Sequence, residues 1–150
     1  MVKIRKATVD DAGIIAGFQT AMAWETESFA LNTESVTNGV KAVFSDKSKG
    51  QYFVAELNRK VIASLLVTSE WSDWRNKYVW WIQSVYILPE HRGKKIFSRL
   101  YNHVKNLVEA DNHAAGLRLY VDLSNKHALK VYKAVGMNGD HYRLFEWMKE

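Results

Sequence analysis

In the stretch VYILPEHRGKKIFSRL, Arg92, Lys94, Lys95 and Arg99 crowd the point where an apolar run passes through Pro89 into residues of helical spacing. Cations at the amino end of a helix oppose its dipole, and each exposed placement costs about 0.3 to 1 kcal/mol. An anion seated among the open N–H groups of that first turn reverses the sign, so the pattern predicts a site for a phosphate-like group. Lysines that only solvate a helix start, with Gly93 only making a turn, are the plainer alternative. A P-loop is not the form such a site takes, because RGKK lacks the preceding glycine and the following Ser or Thr of that motif.

A second constellation lies in SNKHALKVYKAVGM, where Asn125, Ala128 and Tyr132 stand at i, i+3 and i+7 and share one helix face. One face can meet one ligand, although a core tyrosine on an amphipathic helix has the same appearance. Carboxylates that can take a proton through water are Glu25, Glu27 and Glu70, and each is equally an ordinary solvated charge. Gln83 is polar within an otherwise apolar run, which suits either contact with a ligand or satisfaction by backbone groups. Trp24, Phe29, Trp71 and Trp74 fall in two polar loops and can enclose a substrate, and beside acidic groups they favour a cationic amine. Trp80 and Trp81 belong with the core.

The first stretch resembles the acetyl-CoA signature of the GNAT acetyltransferases, in which a strand and proline precede Arg or Gln, two residues, glycine, one residue, and glycine or alanine. Arg92 holds the first of those places; Lys95 and Phe97 stand where the family usually has small residues. The second stretch resembles the family's later motif of asparagine, an inner alanine, and tyrosine four residues before a glycine. The resemblance covers essentially the whole chain, and it implies that acetyl-CoA serves as co-substrate. The backbone from Arg92 through Gly93, Lys94, Lys95, Ile96, Phe97 and Ser98 would clasp its pyrophosphate. Lys95 would add a charge, and Phe97 would narrow the channel. Asn125 would hydrogen-bond the pantetheine arm, and Tyr132 would stand near the thioester sulfur.

That chemistry sets two proton problems, because a lysine-like amine titrates near about 10.4 and a thiol near about 8.5. A base must neutralise the amine and a weak acid must return a proton to sulfur. Tyr132 suits the acid, while Glu25 and Glu27, on a loop that borders the acceptor site in the family, are candidates for the base. The oxyanion would be met by a backbone N–H where the strand carrying Val85, Tyr86 and Ile87 parts from its neighbour. Trp24, Glu27, Trp74 and Gln83 would face the acceptor. A non-catalytic acyl-CoA sensor of the same fold is the alternative.

The elements that must position these groups follow from periodicity. Lys3 to Lys6 reads as a strand, and Thr8, Asp10 and Asp11 open a helix with Ile14, Ile15, Phe18 and Met22 on its apolar face. A loop over residues 24–31 leads to a helix capped by Asn32 or Thr33 that buries Val36, Val40, Val43 and Phe44. Residues 51–57 and 60–68 form a hairpin, a loop spans 69–77, and 78–88 is a strand covered on both faces. A helix follows Gly93, then a strand over 116–123, a helix ended by Gly136, and a closing strand over 141–148. The resulting class is α/β, a mixed and mostly antiparallel central sheet flanked by helices on both faces.

A chain of 150 residues with 47% hydrophobic content suits one domain over 1–150. The absence of cysteine removes thiolate chemistry, and five histidines without i, i+4 ligand spacing predict no metal site. No span or leader is legible, so no membrane partner and a cytoplasmic location are expected. A net charge of +5 alone is compatible with nucleic acid, but the chain lacks an RNP strand or helix-turn-helix pattern, and no nucleic-acid partner is expected. A homodimer remains open.

Overall fold

Tyr52 and Val54 point to one side of a strand and Phe53 to the other, and this alternation sets the layers of the first part of the protein. A computed structural model describes residues Met1–Glu150, which divide into two compact units, Met1–Arg118 and Leu119–Glu150. In the first unit the elements run β1 (Lys3–Lys6), α1 (Ala12–Glu27), α2 (Thr33–Ser45), β2 (Gln51–Leu57), β3 (Lys60–Ser72), β4 (Lys77–Ile87), α3 (Ile96–Ala110) and β5 (Ala114–Arg118). The strands lie in the order β1-β2-β3-β4-β5; all neighbours are antiparallel except β4 and β5, which are parallel and joined through α3. Tyr52, Val54, Val61 and Tyr86 pack with Ala12, Ile15 and Phe18 of α1 and Val40 and Val43 of α2. On the opposite face Phe53 meets His103 of α3 edge-on at 5.6 Å. Helices therefore cover both faces of a mixed sheet, as the periodicity implies.

Several boundaries differ from the sequence reading. α1 continues to Glu27 and ends at Ser28, whose φ of 50° is left-handed; residues 20–27 contain no glycine or proline to stop it earlier, so Glu25 and Glu27 stand on its last turn rather than in a loop. Ile14, expected on the buried face, is exposed. The β3–β4 hairpin reaches further than expected because Trp71 and Tyr78 pair across it, with ring centroids 5.1 Å apart. Gly50 makes the sharp entry into β2 at φ 142°, where a Cβ would lie 2.7 Å from the Val67 carbonyl oxygen.

The second unit contains α4 (Lys126–Ala134), capped by the Asn125 side chain, which accepts from the Ala128 N–H at 3.1 Å. It closes with the paired bonds of a Schellman end, Gly136 N–H to Lys133 O and Met137 N–H to Tyr132 O. The strand expected over 116–123 instead runs Ala114–Arg118, and the strand expected over 141–148 does not form. The segment has strand-like alternation, but a strand exists only through a partner's ladder, and no such ladder forms here. Tyr142, Phe145 and Trp147 are exposed.

Candidate functional site

The parallel ladder between β4 and β5 runs from Tyr78↔Ala114 to Trp81↔Arg118 and then stops, although β4 continues to Ile87. From Ile82 onward β4 has β3 on one side and no β5 partner on the other. Along the same stretch Leu66 pairs with Gln83 and Ser64 with Tyr86, so β4 carries one residue more than β3. Ser84 sits in this bulge at φ 53°, a left-handed conformation that costs a non-glycine residue about 1 kcal/mol. The bulge re-aims the backbone of Val85 to Ile87, the stretch expected to offer a donor. Its sequence signal is the polar Gln83 within an otherwise apolar run.

Pro89–His91 forms one turn of 3-10 helix after β4, and Gly93 (φ 73°) and Lys95 (φ 61°) then turn the chain into α3. Successive amides around left-handed residues make an anion-binding concavity, and the amides opening α3 have no carbonyl of their own helix to reach. Lys94 and Lys95 are exposed beside it. Phe97, expected to narrow a channel, is buried and stacks on Tyr101 at 6.0 Å. The loop thus has the backbone shape and the charge for a diphosphate, with Lys95 holding a conformation that glycine adopts freely.

Arg92 is 48% exposed, yet its guanidinium is engaged by the protein itself. Its Nε donates to the Ile87 carbonyl at 2.9 Å and its Nη2 to Glu25 Oε2 at 2.8 Å, while the guanidinium lies 5.4 Å from the centre of the Tyr86 ring. Tyr86 donates its hydroxyl to the other oxygen of Glu25 at 2.8 Å. The Arg92 guanidinium, and then the Tyr86 hydroxyl, hold the Glu25 carboxyl below the usual glutamate range. Burial, reinforced by Glu25, pushes the Tyr86 phenol up. Glu25 and Arg92 are 67 positions apart, so nothing in sequence spacing pairs them.

The other candidates are distributed unevenly. Gln83 donates to Thr68 Oγ1 at 2.8 Å across the sheet and is half-buried. Trp24 and Phe29 are exposed at the end of α1, near Glu25 and the exposed Glu27. Trp74 stands at the β3–β4 tip, 90% exposed, and β4 is about 36 Å long, so this tip and the Arg92 loop are at opposite ends of one strand. Glu70 pairs with Arg118 at 2.7 Å. Trp80 and Trp81 are half-buried. In the second unit Tyr132 is half-buried on the α4 face that also carries Ala128 and Leu129, and burial raises its phenol above the ordinary value.

Comparison with known proteins bears on this arrangement. Residues 17–137 match the model of the acetyltransferase (GNAT) family. A stretch of 66 residues, 44% of the chain, is 35% identical to thialysine N-epsilon-acetyltransferase of Bos taurus and spans 38% of that relative's length. The crystal structure of a possible acetyltransferase from Clostridium difficile 630 is 41% identical, with a TM-score of 0.91 over 100% of this chain and 99% of that one. A predicted acetyltransferase of Clostridium acetobutylicum, solved with acetyl-CoA, shares the fold at 19% identity and a TM-score of 0.75, with 97% of this chain and 96% of that one covered.

Proposed function

Because the chain belongs to the acetyltransferase (GNAT) family, we propose that it transfers the acetyl group of acetyl-CoA to a primary amine by direct attack within a ternary complex. The observation that carries this reading is the open side of β4, whose ladder to β5 ends at Trp81 while its bulged backbone continues to the loop of Gly93 and Lys95. An unpaired strand edge offers hydrogen bonds to an extended amide-bearing arm, and the loop offers amides and lysines to a diphosphate. The family match crosses from one compact unit into the other, which supports treating residues 1–150 as one functional domain.

Acetyl-CoA supplies the activated acetyl group as its thioester. Amides of the Gly93 to Ser98 segment, with Lys94 and Lys95, hold its phosphates. The backbone of Val85 to Ile87 donates a hydrogen bond to the negative charge that develops on the carbonyl oxygen. Tyr132, kept protonated by a phenol pKa above the ordinary value, returns a proton to the departing sulfur. Asn125 retains amide donors for the same ligand while its oxygen caps α4. Trp24, Gln83 and Glu27 face the amine, and Glu27 accepts its proton through water. The bovine relative, named for the ε-amine of thialysine, supports a primary amine as acceptor. No helix is long and apolar enough to cross a membrane, which is compatible with an enzyme of the cytoplasm.

Tyr132→Phe tests the acid. The account expects kcat to fall by about 10²-fold with the dissociation constant for acetyl-CoA unchanged, in steady-state kinetics paired with calorimetry. A variant as fast as the wild type removes the phenol from the mechanism.

A further inference from the structure

Glu25 occupies the last turn of α1, where the helix dipole disfavours a carboxylate. Both of its oxygens are nevertheless engaged, one by the Tyr86 hydroxyl and one by Arg92, each at 2.8 Å. Arg92 is pinned on two further sides, by the Ile87 carbonyl at 2.9 Å and by the face of Tyr86. Tyr86 in turn rests on Phe18 of α1, with ring centroids 5.1 Å apart. Swinging this guanidinium toward a phosphate would give up its bonds to a carbonyl and a carboxylate and its place over the ring. Lys94 and Lys95 are exposed like Arg92 but, unlike it, make no ion pair.

We propose that Arg92 and Glu25 are positioning residues, a clip that fastens the end of α1 to the end of β4 and so fixes the connection to α2 beside the cofactor loop. The diphosphate is left to the loop amides and to Lys94 and Lys95, and proton removal from the amine falls to a group other than Glu25. This rests on reading the loop as the acetyl-CoA site. A clip at this place has a functional consequence: Trp24 and residues 28–32 adjoin Glu25 along the chain, so its two contacts anchor the segment that carries Trp24 and Glu27. The Glu25 carboxylate is consumed as a structural anion, and its attraction for Arg92 keeps a cation from competing with the lysines for the phosphates.

Amide hydrogen exchange of residues 28–32 and calorimetric titration with acetyl-CoA, on the wild type, Glu25→Gln, Arg92→Gln and the double variant, test the clip. Each single variant is expected to speed exchange of those amides by about tenfold, and the double variant to do no more than either single one, as for two halves of one contact. Arg92→Lys is expected not to restore protection, because one ammonium cannot span Ile87 and Glu25 together. Acetyl-CoA affinity should stay within about threefold of the wild type in all four variants, and fall further in Lys94→Ala/Lys95→Ala. With any primary amine the wild type acetylates, Glu25→Gln should raise KM for the amine and leave kcat and the acidic limb of the pH profile in place.

Arg92→Gln weakening acetyl-CoA by tenfold or more while Glu25→Gln does not would make Arg92 a phosphate ligand and overturn the clip. Loss of the acidic limb in Glu25→Gln would make Glu25 the base, with the same consequence. A wild type that binds no acetyl-CoA overturns the reading of the loop instead; the clip is then decided by exchange alone, and unchanged exchange in both single variants refutes it.

Discussion

Lys95 illustrates how a single residue is shaped by two demands. Its φ of 61° is the conformation that glycine adopts at no cost, which explains in physical terms why the family signature has a small residue at this place. Its charge lies beside amides suited to a phosphate. Lys95→Gly should therefore raise stability by about 0.5 to 1 kcal/mol in urea denaturation while lowering acetyl-CoA affinity several-fold; a loss of stability would mean that the left-handed backbone carries no strain. Phe97, two residues on, resolves differently, because its ring turns into the core against Tyr101 and leaves the loop to its backbone. The departure at Lys95 was visible in the sequence as a missing glycine, but its cost and its benefit became separable only with the dihedral angle.

Among the elements, β4 carries most of the functional argument, and it was only partly legible. Its apolar run announced a strand covered on both faces, and the polar Gln83 marked the interruption. That the interruption is a bulge, and that β5 leaves β4 at Trp81, depend on register between strands far apart in sequence, which residue types alone do not encode. Helices were easier, since caps and stops are local: Asn32 and Asn125 cap α2 and α4, and Gly136 ends α4. Where a local signal was lacking, as at the end of α1, the boundary shifted and took Glu25 and Glu27 from a loop onto a helix. The segment over 141–148 failed for the complementary reason, alternation without a partner. A test at this scale concerns Gly50, which lets the chain enter β2 beneath Val67. Gly50→Ala should cost about 2 to 3 kcal/mol, because the new Cβ would meet a carbonyl oxygen at 2.7 Å rather than a movable side chain; a neutral result in thermal unfolding would show that the β2–β3 register is free to slip.

For the molecule as a whole, acid stability should report the cluster that ties β1, β2 and the start of α1 together. Arg5 makes a forked pair with Asp11, at 2.8 and 3.1 Å, and reaches Glu56 at 2.9 Å, while Asp11 also accepts from the Thr8 N–H at 2.8 Å. The Arg5 guanidinium holds the Asp11 carboxyl below its usual range against the opposing effect of burial. A depressed native value means that the unfolded chain takes up the proton first, so the contribution is complete above the unfolded value of about 3.9 and is lost as pH falls below it. Asp11→Asn should cost about 2 kcal/mol near neutrality and flatten the fall in stability below about pH 4, as followed by urea unfolding at several pH values. Parallel curves for variant and wild type would remove Asp11 from the account of acid unfolding.

Sequence motifs, the bulged and half-unpaired β4, the loop with two left-handed residues and the family match are the grounds for proposing acetyl transfer to an amine. The measurement that bears on this most directly is release of free coenzyme A thiol from acetyl-CoA, followed with a panel of primary amines that includes thialysine. Thiol release that depends on an amine, accompanied by equal formation of its N-acetyl product, is the outcome predicted. Saturable binding of acetyl-CoA with no amine-dependent release across the panel would contradict it and assign the fold to acyl-CoA sensing.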